Sequence, residues 1–264
     1  MGEVVAAGED PAAAKLVGQR VAVSVARTGT GAWAQYALTD AGAVVPLAPQ
    51  MRDEDAAALI VNPLSAWAMV HLAKEHGANS FVMTAGASQL CKLMASLARD
   101  MGMHAIAVVR REEHRSTLEG LGAGTVLNTA REDFEDMLLQ AMKQNQPKML
   151  LDAVADNHSA TIFSAMPAGS HWVIYGKLSQ EAPRLPALGQ MVFMKKVIEG
   201  FWLTEWLGRA TPEQRVEAFT EVQKRFISGA WKTDVAETIP LAEAPDRLAG
   251  ALEGMNRGKV FLRP

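Results

Sequence analysis

The feature that most constrains the fold is an alternation of short apolar runs and amphipathic runs between Ser80 and Gly176. The apolar runs are "SFVMT", "HAIAVV", "TVLN", "KMLLDAV" and "HWVIYG". Between them lie "QLCKLMASLARDMG", "REEHRSTLEGLG", "REDFEDMLLQAMKQ" and "NHSATIFSAM". Short buried strands separated by amphipathic helices form a parallel sheet covered on both faces, with right-handed crossovers. The sequence therefore predicts an α/β protein with a doubly wound nucleotide-binding sheet.

The chain before this alternation has a different pattern. Brief runs broken by glycine and proline ("GEVVAAG", "QRVAVSV", "WAQYAL", "AVVPLA") predict a small barrel or folded-over sheet. From Arg52 the apolar residues take helical spacing, with Pro63 at a helix start and Gly77 after its end. We therefore expect a partial β-rich domain over residues 1–51.

The chain after the alternation is predicted to return to the first domain. A polar loop ("KLSQEAPRLP") precedes a strand around "VIEGFWL" and a long helix for which Thr211 is a good N-cap. The segment "AETIPL", the helix "EAPDRLAGALEGM" and the strand "KVFLRP" follow. We expect the nucleotide-binding domain over residues 52–225, including its connecting helices, and the return to the β-rich domain over 226–264.

Composition limits the partners. A net charge of −3 and a pI near 6.1 give no concentrated basic surface for nucleic acid or an anionic membrane. The single cysteine, Cys91, rules out an internal disulfide and fits a reducing compartment. No apolar run approaches the roughly 20 residues that span a bilayer, and the N-terminus carries acids. We expect a soluble, cytoplasmic protein.

The turn "TAGASQLCK" follows the first strand of the alternation and is poor in glycine. A dinucleotide-binding turn uses glycines for a tight bend and for close approach to a pyrophosphate at a helix N-terminus. Ser88 can cap the helix, and Cys91 is small enough to be buried against the strand. The residues that would hold the phosphates are Ala85, Gly86, Ala87, Ser88, Gln89 and Leu90. The alternative is a purely structural strand–turn–helix.

Two arginines follow the second strand, where dinucleotide sites that prefer NADH carry an acid. Arg110 and Arg111 could instead hold a ribose 2′-phosphate through bidentate guanidinium hydrogen bonds, which favours NADPH. The alternative is a solvated basic pair that balances Glu112 and Glu113. Tyr175 and Gly176 end a later strand, on the carboxyl edge where ligands bind in such sheets. A buried tyrosine with a satisfied hydroxyl would give the same sequence pattern.

Several strings, taken together, resemble one family. They are "AALIVNPLSAW", "LARDMG" followed by "AIAVVRR", "GLGAGTVLN", "IYGKLS", "IEGFWLTEW" and "GKVFLRP". They are similar to the medium-chain dehydrogenase/reductase superfamily, in its zinc-free quinone oxidoreductase and trans-2-enoyl thioester reductase branch. The resemblance implies a Rossmann-like sheet and a GroES-like barrel domain, of which this chain is expected to lack the early strands. The turn departs from the family pattern, since Ser88 and Cys91 stand where glycines are usual.

The resemblance also nominates residues around the nicotinamide end of the cofactor. It implies roles for Asn62 and Ser65 in "VNPLSAW" and for Phe201 and Leu203 in "GFWLT". Lys259 in "GKVFL" is a further candidate for contact with the cofactor. Helix capping, core packing and a solvated surface lysine are the respective alternatives. Neither of the two tyrosines, Tyr36 and Tyr175, matches the family's proton-donor motif, so no catalytic residue is assigned.

The expected function is NADPH-dependent transfer of a hydride to a quinone or an activated (enone or enoyl) double bond of a small-molecule substrate. The alternative is a non-catalytic nucleotide-binding or scaffold paralogue with a degraded phosphate turn. The six histidines and the one cysteine show no paired metal-ligand spacing, so no metal is expected. A homodimer is expected because the strand in "VIEGFWLTEW" should lie at a sheet edge.

Overall fold

The computed structural model describes residues 1–25, 31–185, 187–253 and 257–264; Pro186 of the predicted loop and Gly254 and Met255 of the predicted last helix lie outside them. The chain forms two compact units. The first comprises Met1–Leu64 and Pro212–Pro264, and the second comprises Ser65–Thr211.

The described strands are β1 Gly2–Glu3, β2 Arg20–Val23, β3 Val44–Pro46, β4 Ser80–Met83, β5 His104–Val109, β6 Ala123–Asn128, β7 Met149–Asp152, β8 His171–Ile174, β9 Val197–Gly200, β10 Val235–Pro240 and β11 Lys259–Arg263. The described α-helices are α1 Pro11–Ala14, α2 Asp53–Ala57, α3 Asn62–Glu75, α4 Gln89–Asp100, α5 Arg115–Leu121, α6 Phe134–Asn145, α7 Asn157–Ala165, α8 Gly189–Phe193, α9 Leu203–Arg209, α10 Pro212–Ile227 and α11 Ala244–Glu253.

The second unit contains a six-stranded sheet in the order β6-β5-β4-β7-β8-β9, and every pairing in it is parallel. All four residues of β4 and of β7 are buried, as expected for central strands covered on both faces. Val82, Ile106, Leu150 and Trp172 join side chains of α6 and α7 in one apolar core. The predicted doubly wound parallel sheet is confirmed.

The first unit contains two small sheets. Strands β1, β2 and β3 form an antiparallel sheet. Strands β10 and β11 form a parallel pair, and α11 lies between them in the sequence. The predicted strand "WAQYAL" is irregular instead, and it exposes Trp33, Tyr36 and Leu38. A strand needs a hydrogen-bonded neighbour, and no described strand pairs with this segment.

The chain passes from one unit to the other between Leu64 and Ser65 and again between Thr211 and Pro212. The sequence predicted these boundaries at 51/52 and 225/226. Polar contacts give the reason. Asp55 of α2 is buried and accepts a hydrogen bond from the Thr233 amide at 2.8 Å. Gln223 of α10 accepts from the Ala48 amide at 2.9 Å. These helices therefore belong to the β-rich unit, through contacts between residues far apart in sequence.

Within the described residues, no helix combines the length and the apolar character that crossing a bilayer requires.

Candidate functional site

The strand order of the second unit reverses between β4 and β7. From β4 the chain continues outward through β5 and β6, and from β7 it continues in the other direction through β8 and β9. Loops that leave such a pair at its carboxyl edge separate, and the crevice between them is where open α/β sheets bind ligands. The candidate site is built from the loops at this edge.

The turn after β4 packs directly on the neighbouring strand. The Gly86 amide donates to the Val108 carbonyl at 2.9 Å, and a Cβ built on Gly86 would lie 3.0 Å from that carbonyl oxygen. Ala85 has a φ of +50°, a left-handed conformation that non-glycine residues rarely adopt. Such backbone strain concentrates at ligand sites. The turn therefore keeps a tight bend although only one of its residues is glycine.

The helix that follows begins as the sequence predicts. Ser88 is the N-cap of α4, and its hydroxyl accepts a hydrogen bond from the Cys91 amide at 3.3 Å. The start of α4 thus lies at the switch point, where the helix dipole and the first amides favour a bound anion. Gln89 and Leu90 form the first turn of this helix, half-buried and buried respectively.

Cys91 contacts the residue that follows β4. Its Sγ donates to the Thr84 carbonyl at 3.2 Å, and the residue is fully buried beneath the turn. Burial raises the pKa of the Cys91 thiol to about 11. The thiol that replaces a family glycine is therefore a neutral packing group, and it contacts the strand end.

A buried carboxylate ties the two central strands together at this edge. Asp152, the last residue of β7, is completely buried. Its carboxylate accepts hydrogen bonds from Thr84 Oγ1 at 2.5 Å, Trp172 Nε1 at 2.7 Å, Val154 N at 2.9 Å, Ser159 Oγ at 3.0 Å and Ala155 N at 3.2 Å. Sequence reasoning missed this residue; its signal was an acid that directly follows the apolar run "MLL". Because five donors satisfy the buried charge, it fixes the loops after β4 and β7.

Tyr175 and Gly176 follow β8 at the same edge. The Tyr175 amide donates to the Asp152 carbonyl at 2.9 Å, and the side-chain hydroxyl lies 3.8 Å from the Cys91 thiol. Burial raises the pKa of Tyr175 well above its ordinary value. A Cβ on Gly176 would lie 3.0 Å from the Ala153 carbonyl oxygen, so this position favours glycine.

The two arginines after β5 differ in their surroundings. Arg111 forms an ion pair with Glu113 at 3.2 Å, which agrees with the alternative of a balanced basic pair for this residue. Arg110 is exposed, and its guanidinium makes no hydrogen bond or ion pair with any residue that the structure describes. Arg110 is thus the arginine free to contact a ligand at the end of β5.

Residues nominated for the nicotinamide end fall in both units. In the second unit, Ser65 is buried and, among the described residues, its hydroxyl has no hydrogen-bond partner. Phe201 continues the sheet, since its amide donates to the Ile174 carbonyl at 2.9 Å, and Leu203 begins α9. In the first unit, Asn62 begins α3 and Lys259 begins β11. The helix-capping alternative for Asn62 gains no support, because its side chain makes no hydrogen bond in the described part of the chain.

These observations fit a dinucleotide. The turn at Gly86, the capped start of α4 and Arg110 would hold the phosphates, while Ser65, Tyr175, Gly176 and Phe201 would line the rest. The fit rests on a backbone that approaches closely only without a Cβ, and on Arg110 and Ser65, whose side chains make no hydrogen bond with the described residues.

Comparison with known proteins gives consistent matches. Residues 90–221 match the family model described as zinc-binding dehydrogenase. One match is the solved structure of a provisionally assigned NADPH:quinone reductase from Mesorhizobium loti. The similarity covers the whole of this chain and 76% of the Mesorhizobium loti chain, with a TM-score of 0.93 and 47% sequence identity.

Two curated relatives are more distant. A mitochondrial enoyl-[acyl-carrier-protein] reductase from Caenorhabditis elegans is 26% identical over 99% of this chain and 75% of its own length. An NADPH quinone oxidoreductase from Kluyveromyces marxianus is 27% identical over 77% of this chain. The chain spans 57% of the length of that second relative.

Proposed function

The chain belongs to the medium-chain dehydrogenase/reductase superfamily, in its zinc-free quinone and enoyl reductase branch, and we propose that it is an NADPH-dependent reductase acting on a quinone or an activated carbon–carbon double bond. Its relatives are oxidoreductases, which supports an oxidoreductase activity but does not identify the substrate. The proposal of an NADPH-dependent reductase rests on the 47% identity to the Mesorhizobium loti protein, which extends over the whole chain.

The cofactor proposal assigns the phosphates to the carboxyl edge of the sheet. The amides at the start of α4 would bind the pyrophosphate, and Gly86 allows its close approach. Arg110 would bind the ribose 2′-phosphate, because its guanidinium has no partner among the described residues. Arg111 would contribute less, since Glu113 already holds it. These roles favour NADPH over NADH.

The bound nicotinamide supplies a hydride when the cofactor is reduced. The task of the chain is then to orient the ring and to exclude water. Ser65, Tyr175, Phe201 and Leu203 would line this part of the site in the second unit. We propose roles in cofactor binding for Asn62, as the family resemblance implies, and for Lys259.

We also propose a homodimer. All four residues of β9 are exposed, and β9 ends the strand order of its sheet. Trp202 and Phe193 nearby are exposed as well. Pairing β9 of two copies would satisfy the free backbone groups and cover this apolar surface. Sedimentation should give a dimer at micromolar concentration, and a monomer there would contradict the proposal.

The function is tested in two steps. Titration with NADPH, followed by protein fluorescence, should show one saturable site per chain. NADPH oxidation should then be measured with a benzoquinone and with a short enoyl thioester. Turnover of either compound supports the reductase. Binding without turnover of both supports the alternative of a non-catalytic nucleotide-binding module, and no NADPH binding contradicts both functions.

A further inference from the structure

Three side chains that lie far apart in sequence meet on the second unit. His76 directly follows the end of α3, His171 begins β8, and Glu199 is the third residue of the edge strand β9. One ligand atom from each residue can be chosen so that all three atoms lie within 4.8 Å of one another. No motif indicated this cluster, because three separate elements contribute to it.

The contacts within the cluster are close. His171 Nδ1 lies 2.6 Å from Glu199 Oε1, and the rings of His76 and His171 have centroids 4.6 Å apart at an angle of 66°. In tetrahedral zinc sites the ligand atoms lie about 3.3 Å apart, as follows from metal–ligand distances of about 2.0 Å. Metal binding would therefore require side-chain rotations that bring the three ligand atoms to that spacing.

His76 is already held in the orientation that a metal ligand needs. Its Nδ1 lies 2.9 Å from the Leu72 carbonyl oxygen, which can only accept a hydrogen bond. Nδ1 therefore carries the hydrogen, and Nε2 keeps its lone pair. Metal-binding histidines commonly donate their second ring nitrogen to a carbonyl in this way, which fixes both the tautomer and the ring orientation.

We propose that His76, His171 and Glu199 bind one divalent transition-metal ion, Zn²⁺ by preference, with water completing the coordination. Two imidazoles and one carboxylate favour zinc over the oxygen-seeking Mg²⁺ and Ca²⁺. His76 and Glu199 are exposed and His171 is half-buried, so an ion and its water can enter from solvent.

This site is separate from the proposed cofactor edge. His171 begins β8 and Tyr175 directly follows its end, four positions later, which corresponds to about 13 Å at the rise of an extended chain. The ion would link the end of α3 to β8 and to the edge strand β9. The proposed pairing of β9 uses backbone groups in the plane of the sheet, whereas Glu199 projects from a face, so the two proposals are compatible.

The test measures Zn²⁺ binding to the whole chain in competition with a chromophoric chelator. We expect one ion per chain in the wild type. His76→Ala and Glu199→Gln should each weaken binding at least tenfold. The matched control is His158→Ala, because His158 is exposed and lies 3.6 Å from the carboxylate of Asp156 but belongs to no three-ligand group among the described residues. The Zn²⁺ affinity of this control should lie within twofold of that of the wild type.

Two further measurements make the result independent of catalysis. Co²⁺ should give the intense visible absorption of a tetrahedral site in the wild type and in His158→Ala, and neither site variant should show it. Zn²⁺ should raise the melting temperature of the wild type and not that of Glu199→Gln. The melting temperatures without metal show whether each variant folds. Absence of saturable Zn²⁺ binding by the wild type, or equal loss in His158→Ala, would overturn the proposal.

Discussion

The hydroxyl oxygen of Tyr175 lies 3.8 Å from the Sγ of Cys91, beneath the turn that follows β4. The residue that replaces a family glycine thus contacts the loop after β8. The same thiol donates to the Thr84 carbonyl, so three segments of the carboxyl edge meet at one buried sulfur atom.

Cys91 should react slowly in the native protein. Burial raises its pKa from 9.0 to about 11, so at pH 8 its thiolate fraction should fall about 100-fold, at tenfold per pKa unit. Limited access slows the reaction further. Iodoacetamide labelling should therefore be at least 100-fold faster in urea than in buffer. Equal rates in both would show that the thiol is accessible.

The same shift predicts how stability depends on pH. A raised pKa in the folded state favours the protonated thiol, so this stabilisation is complete below pH 9 and is lost as the pH rises toward 11. Cys91→Ala lacks the titrating group and serves as the control. The free energy of unfolding of the wild type, from urea titrations, should fall more steeply across this window than that of the variant.

Gly86→Ala should destabilise the protein. Its new Cβ would meet the Val108 carbonyl oxygen at 3.0 Å and the Ala107 Cβ at 3.1 Å, in backbone that cannot easily move. Such overpacking costs about 1–3 kcal/mol. The control is Gly120→Ala in α5, where a Cβ meets nothing within 4 Å and should stabilise the helix by up to about 1 kcal/mol. In urea titrations, Gly86→Ala should lower the free energy of unfolding and Gly120→Ala should raise it.

Asp152→Asn should destabilise the protein by about 2–4 kcal/mol, because an amide group would face donors that now bond to a buried carboxylate. The control is Asp133→Asn, a surface residue paired with Arg131, for which the cost should be much smaller. Chemical unfolding measures both. A similar small cost for the two variants would mean that the buried carboxylate contributes little.

Arg110→Ala should weaken NADPH binding and leave NADH binding nearly unchanged. Loss of a charge-assisted contact costs about 1.5–3 kcal/mol, which corresponds to about 10- to 150-fold in affinity. Arg99→Ala is the control, since Arg99 lies in the last turn of α4, at the opposite end from the phosphate turn. Isothermal titration should show the difference. Equal loss for both cofactors would remove the 2′-phosphate role from Arg110.

The sequence by itself determined the doubly wound sheet of the second unit. Each strand and helix there carries its own apolar periodicity, and Ser88 marks the start of α4 through a contact three residues away. These signals are local, so they can be identified without knowledge of the rest of the fold. The candidate turn, the two arginines and Tyr175 could be nominated for the same reason, because the end of each strand is visible in the sequence.

Only the tertiary structure decided which distant groups meet. It left "WAQYAL" outside the described sheets, buried Asp55 against Thr233, and surrounded Asp152 with five donors. It also brought His76, His171 and Glu199 together. The energy of a polar contact depends on the partner and on burial, and both are set by how whole elements pack. Local periodicity cannot specify such contacts, because each joins residues that lie far apart in the sequence.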